Sequence, residues 1–223
     1  YTLHFEKGEN KTGTKEGFHK KPTNSKKTGT TIRWKPDLEV FTDINIPVDY
    51  YLDTLKRQAV VNSHIKFVLK NQAGNKFETT EFLYQNGIVD YVTELAGENP
   101  LTSVQFLEGE RRGRDRADKA EYKVKLSCAF CFSSAVSKIE YYHNSSWLEH
   151  GGAPDKAVRS AFVSAIDAYL KQNNKYTKSE SKVTFQDVMD SLVLVTNCFS
   201  TQTSYENQTK KAITNKFIQE AMT

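Results

Sequence analysis

The period of the apolar positions changes several times along the chain, and each change marks an element. Tyr1 to Phe5 reads as a short strand, and the polar run from Lys7 to Thr28, rich in Lys, Gly, Thr and Asn, reads as a mobile basic loop. Gly29 to Trp34 predicts a strand ended by Pro36-Asp37, and residues 37–47 read as a connection. From Val48 the apolar positions Val48, Tyr51, Leu52, Leu55 and Ala59 keep helical spacing, which predicts a helix stopping near Asn62. Ile65 to Leu69 and Phe77 to Tyr84 are strands joined by a turn at Gln72-Ala73-Gly74-Asn75. Asn86-Gly87 opens a short helix with Ile88, Val89, Val92 and Leu95 on one side, and Gly97 and Pro100 mark its end.

The second half is read the same way. Val104 to Leu107 is a short strand, and residues 121–132 and 135–143 are longer ones. Gly151-Gly152-Ala153-Pro154-Asp155 starts the clearest helix: Pro154 sits where a missing N–H costs little, and Asp155 favours the positive end. Its stripe runs through Ala157, Val158, Ala161, Phe162, Ala165, Ile166, Tyr169 and Leu170. Thr184-Phe185-Gln186-Asp187 has the form of a capping box for a short helix. Leu192 to Phe199 is a strand, and an amphipathic helix carrying Ile213, Phe217, Ile218 and Met222 closes the chain. Neighbouring strands are joined both by hairpins and by helices, a pattern of α+β or mixed α/β type.

Composition narrows this picture little. With 223 residues, 38% hydrophobic and 12% aromatic, the chain can bury a substantial core. A formal net charge of +4 permits nucleic acid without demanding it. No apolar run approaches a membrane span and no signal peptide is visible. The start at Tyr1 rather than Met leads us to expect part of a longer protein. Three cysteines, an odd number, point to a reducing compartment. Cys128 and Cys131 form a C-x-x-C, but in a strand three residues apart means opposite faces, so no metal site is expected and both read as small buried hydrophobes.

Four stretches hold candidate chemistry. Gly8 to Lys15 approaches a phosphate loop, but its last two residues are in the wrong order and no apolar helix follows to hold the anion. Arg111, Arg112, Arg114 and Arg116 fall within six residues: either a solvated hairpin turn or a salt-sensitive contact to DNA phosphates. His64, His143 and His150 have no partner at triad or metal spacing. The last stretch, Tyr205-Glu206-Asn207-Gln208-Thr209-Lys210, lies between a buried strand and a helix. Lys210 is a compact point charge suited to a terminal phosphate, and Gln208 can donate to a phosphate oxygen or orient a water.

With Ile213 three residues on, that last stretch is similar to the Gln-Thr-Lys loop found in bacterial type II DNA topoisomerases, in the ATPase component of the gyrase B and topoisomerase IV B type. Four further regions agree in order: Tyr1 to Gly8, Lys27 to Asp37 with its Thr-Gly-Thr, Lys56 to Ser63, and the two glycine turns at Tyr84 to Ile88 and His150 to Gly152. The resemblance implies that residues 1–43 are the last strands of a GHKL-type ATPase domain with its linker. Residues 44–223 would be a transducer domain: a mixed sheet with helices on one face, of the left-handed β-α-β type seen in ribosomal proteins and GHMP kinases. It implies that Gln208 and Lys210 reach the γ-phosphate of ATP, Lys210 as a catalytic residue, that Thr209 takes part in binding ATP, and that Gly29 and Thr30 lie near adenine. The catalytic glutamate and the Mg²⁺-holding asparagine would lie upstream of Tyr1, so this segment alone would not hydrolyse ATP.

Further implications are three partners: double-stranded DNA, the topoisomerase's A subunit, and a second copy of the B subunit joined through the ATPase domain. The implied location is the bacterial cytoplasm, in association with the nucleoid. The chain departs from the family at Ala153-Pro154, where a Thr-His pair is usual, and in a longer arginine-rich segment. Two other readings compete: a non-enzymatic basic DNA-binding module, and the second domain of another GHKL ATPase such as a MutL-like protein.

Overall fold

In the first unit of the chain, local turn chemistry forms more structure than long-range pairing does. The computed structural model describes residues 1–223 and divides into two compact units, Tyr1–Ile46 and Pro47–Thr223. Strands β1 (Phe5–Glu6) and β2 (Glu9–Asn10) pair antiparallel across Lys7 and Gly8, both at positive φ (47° and 80°). That is the backbone a two-residue hairpin turn requires. Thr2 and His19 exchange backbone hydrogen bonds at 2.9 Å, and the buried Thr12 hydroxyl accepts from the His4 N–H at 2.9 Å.

Two expectations change here. The strand expected over Tyr1 to Phe5 shrinks to β1 and the bridge at Thr2, and part of the supposed loop at 7–28 is folded against it. Gly29 to Trp34 is not a strand: it has no sheet partner, and Ile32 and Trp34 are 81% and 64% exposed. Its β-branched residues suit a pleated surface, but propensity does not supply the neighbouring strand that a ladder needs.

The second unit follows the apolar periodicity closely. Helix α1 (Val48–Val61) begins after Pro47, followed by β3 (Phe67–Ala73) and β4 (Lys76–Phe82), an antiparallel hairpin that turns at Gly74, φ 63°. Helix α2 (Ile88–Ala96) follows Gly87 and ends before Gly97. Next come β5 (Gln105–Gly113), β6 (Tyr122–Phe132), β7 (Lys138–His143), β8 (Ser146–Trp147) and β9 (Gly151–Gly152). Helix α3 (Ala153–Gln172) starts directly from β9 with Pro154 in its first turn. The capping box at Thr184 and Asp187 opens α4 (Phe185–Met189), and β10 (Leu192–Ser200), β11 (Ala212–Ile213) and α5 (Lys216–Met222) complete the chain.

The main sheet has the order β5-β6-β10-β7-β8. β6 runs antiparallel to β5 and β10, while β10 runs parallel to β7, so the sheet is mixed and the fold α+β. Alternation along β6 and β10 sends Ala129, Cys131, Val193 and Val195 into one core with α1 and α2. Val124, Phe130, Leu192 and Leu194 go into a second core with α3, α4 and α5.

The helices therefore cover both faces of the sheet rather than one. Both faces of β6 and β10 are apolar, and full burial of each large side chain stabilises by roughly 1.5–3 kcal/mol, so a single helical layer would forfeit half of that. Cys131 lies in the first core and Cys128 against the second, the opposite faces that strand geometry requires. Burial raises both thiols, Cys128 to about 12.

Two boundaries also differ. β5 runs on to Gly113 because the eleven-residue β6 offers partners as far as Tyr122, so Arg111 and Arg112 are strand residues, not turn residues. Ile213 belongs to β11 rather than to the last helix, which starts three residues later.

Candidate functional site

The loop at 205–210 is the tip of a narrow hairpin. Thr214 N–H donates to Ser204 O at 2.8 Å, Glu206 N–H donates to Ala212 O at 3.0 Å, and Tyr205 bridges Ile213. At the tip the Asn207 carboxamide oxygen accepts from the Thr209 N–H at 3.1 Å and from the Thr209 hydroxyl. This Asx-type turn reverses the chain, and Lys210 takes the left-handed conformation at φ 57°. Gln208, Thr209 and Lys210 are therefore brought together and exposed. No carboxylate pairs with Lys210, whose Nζ lies 5.5 Å from the Tyr205 ring centroid, whereas its neighbour Lys211 is bound to Glu149 at 2.5 Å. A cation resting on an aromatic face keeps its charge available to an anion in a way a salt-bridged one does not.

Three anchors hold the hairpin's root. The first is a backbone slot: β11 pairs parallel with β9, Ala212 against Gly151 and Ile213 against Gly152. A Cβ on Gly152 would lie 2.3 Å from the Ile213 carbonyl oxygen, and its φ of 78° is one that side chains disfavour. Only glycine lets the two backbones meet there.

The second anchor is His143, fully buried, whose Nε2 meets the Thr203 hydroxyl at 2.8 Å and the Ser200 hydroxyl at 3.3 Å. The Tyr205 ring packs edge-on against the imidazole, with centroids 6.4 Å apart. Burial lowers the imidazole pKa to about 4, so it is neutral at ordinary pH.

The third anchor comes from the arginine-rich stretch. Asp115 Oδ1 accepts from the Phe217 N–H and the Tyr122 hydroxyl, both at 2.9 Å, and Oδ2 accepts from Asn215 Nδ2 at 2.9 Å. Asn215 Oδ1 in turn accepts from the Ser204 N–H at 2.7 Å. Desolvation, followed by the bond to Asp115, raises the Tyr122 phenol far above its ordinary range. Gly113 completes the contact: a Cβ there would lie 2.3 Å from the Phe217 ring.

The four arginines do not form one patch. Arg111 and Arg112 are consecutive strand residues and point to opposite faces, neither of them paired with a carboxylate. Arg114 is bound to Glu121 at 2.6 Å and Arg116 to Asp118 at 2.8 Å. Gly29 and Thr30 lie in the first unit, exposed and without regular structure. No group of His, Cys, Asp or Glu is arranged to hold a metal ion.

Asp115, Asn215, Tyr122 and His143 were not singled out as partners of the loop. Asp115 and Asn215 are one hundred residues apart, and an aspartate set among arginines was the one hint of a separate task.

Residues 87–223 match the sequence profile of the family described as DNA gyrase B. The chain is similar to the DNA gyrase B protein of Mycoplasmoides gallisepticum, 24% identical over 201 residues that make up 89% of this chain and 31% of that protein. It is also similar to the DNA gyrase B protein of Metamycoplasma hominis, 27% identical over 85% of this chain and 29% of that one. The chain thus spans about a third of the length of these curated relatives. The crystal structure of the 43K ATPase domain of Thermus thermophilus gyrase B, in complex with an aminocoumarin, superposes with a TM-score of 0.61 at 20% identity, over 83% of this chain and 48% of that one. No helix is long and apolar enough to cross a membrane. Given a profile match over more than half its length, the chain belongs to the DNA gyrase B family.

Proposed function

We propose that this chain is the coupling part of the B subunit of an ATP-dependent type II DNA topoisomerase. Residues 1–43 are on this reading the closing segment of a GHKL ATPase domain, with Gly29 and Thr30 near adenine, and residues 44–223 are the transducer domain. The observation that carries it is the hairpin tip: an ammonium without a carboxylate partner, beside Gln208 and Thr209, on a root held by backbone pairing and buried polar contacts. That donor set suits a terminal phosphate. No group of three or more His, Cys, Asp or Glu side chains is arranged to hold a metal ion, and the reading assigns this chain the anion contact alone.

Lys210 Nζ and the Gln208 carboxamide donate to the γ-phosphate oxygens of ATP bound in the neighbouring domain. Each charge-assisted bond contributes roughly 1.5–3 kcal/mol, and more where charge develops during phosphoryl transfer. Once phosphate leaves, the loop loses its partner, and the balance between domain arrangements shifts by that differential binding. In the whole protein this shift moves a gate for duplex DNA, and the partners are a second copy of this chain and the enzyme's A subunit. The competing reading, a basic DNA-binding module, leaves the rooted loop without a task and finds two of its four arginines already paired.

The test is Lys210→Ala in the full-length protein, assembled into the complete topoisomerase. Loss of ATP turnover by about 10²–10³ with partly weakened nucleotide binding is expected, as for removal of a transition-state donor. Normal supercoiling or decatenation by this variant would refute the assignment.

A further inference from the structure

We propose that Asp115 and Asn215 are positioning residues for Lys210: a directional hydrogen-bond relay that sets the 205–210 hairpin from the arginine-bearing β5–β6 turn. The inference rests on the reading of Lys210 as the γ-phosphate contact. It adds two residues that touch no nucleotide.

The relay has a fixed polarity. Asp115 can only accept, so Asn215 presents its NH₂ to that carboxylate at 2.9 Å, which turns its carbonyl oxygen to the Ser204 N–H at 2.7 Å. Ser204 is the residue at which the hairpin closes, through Thr214. Asn215 is only 2% exposed, so water cannot replace a lost partner there. The same carboxylate receives the Phe217 N–H at 2.9 Å, in the first turn of α5. One half-buried carboxylate thus ties together the arginine turn, the last helix and the loop root.

This polarity makes a sharp substitution possible. In Asp115→Asn the carbonyl oxygen is held by the Phe217 N–H and the Tyr122 hydroxyl, so the new NH₂ faces the NH₂ of Asn215. If Asn215 flips to relieve that clash, its NH₂ faces the Ser204 N–H instead, so the conflict moves to the loop root and does not disappear. In the exchange D115N/N215D, the carboxylate at 215 accepts both from the amide at 115 and from the Ser204 N–H, while the carbonyl at 115 still accepts from Phe217. The charge changes place and the direction of the relay is restored.

The experiment measures steady-state ATP hydrolysis by the full-length protein. Asp115→Asn is expected to lower kcat about tenfold with KM nearly unchanged, since small misplacement of a catalytic group costs up to about 10². D115N/N215D is expected to recover most of that loss. In the Lys210→Ala background, Asp115→Asn is expected to lower kcat no further, because residues acting through one group are non-additive. A wild-type kcat for Asp115→Asn, or a drop of the same size in both backgrounds, would overturn the relay. If Asp115→Asn fails to fold, the exchange decides: a folded and active exchange variant supports the relay, and a folded but slow one overturns it. Were Lys210→Ala itself to turn over ATP normally, the functional reading would fall instead, which separates the two failures.

Discussion

The arginine-rich stretch at 111–116 and the loop at 205–210 are both short, polar and cationic, yet the fold treats them differently. In the first, Arg114 and Arg116 are tied to Glu121 and Asp118, and Arg111 and Arg112 diverge to opposite faces of an edge strand. In the second, a single lysine stands unpaired at the tip of a hairpin whose root is clamped on three sides. Charge density along the sequence is therefore a poor guide to a site. An uncompensated charge on a rigid support is a better one, because the support holds the group in place before the anion arrives. The most consequential residue of the arginine stretch is its aspartate.

The contrast can be attacked first at the root. Gly152→Val places a side chain against the Ile213 backbone at a positive φ, so the slot between β9 and β11 must open. A loss of at least about 3 kcal/mol of unfolding free energy is expected in chemical denaturation, with the hairpin freed. A variant of wild-type stability would show that the slot does not hold the loop.

A smaller effect comes from pH. His143 is neutral in the fold, with its pKa lowered from 6.5 to about 4 by burial, so the unfolded chain binds a proton that the folded one refuses. The stability this group contributes is complete above about pH 6.5 and is lost as pH falls towards 4. Wild type should lose on the order of 3 kcal/mol more than His143→Gln across that window, read as the difference between their unfolding free energies. Parallel curves for the two proteins would remove His143 from the root.

The smallest effects belong to the arginines. Arg114→Ala and Arg116→Ala each break an exposed ion pair and should cost no more than about 1 kcal/mol. Arg111→Ala and Arg112→Ala should leave stability unchanged. If the unpaired arginines meet duplex DNA, replacing both lowers the salt slope of DNA binding by about 2, while replacing the paired ones lowers it less. Equal slopes for both pairs would erase the distinction between them.

Much of the second unit was legible because its elements carry their own periodicity and end signals. Val48 to Ala59 sets α1, Thr184 and Asp187 cap α4, and the alternation on either side of Cys128 and Cys131 gives β6 two faces. What escaped depends on partners distant in sequence. Gly29 to Trp34 has strand-like residues and no strand beside it; Ile213 is drawn from the helix pattern into pairing with Gly152; and the Asp115–Asn215 contact spans a hundred positions with no local signature. The loop itself was readable as chemistry, but its rigidity was not, because rigidity comes from Gly152, His143 and Asn215 rather than from the six residues of the tip.

The central claim is that the Lys210 ammonium meets the terminal phosphate of ATP, and a crystal structure of the full-length protein with a non-hydrolysable ATP analogue tests it most directly. The account predicts Lys210 Nζ within about 3 Å of a γ-phosphate oxygen, with the Ser204–Asn215–Asp115 contacts intact. A structure in which the analogue is bound and the hairpin tip faces solvent, away from the triphosphate, would contradict it.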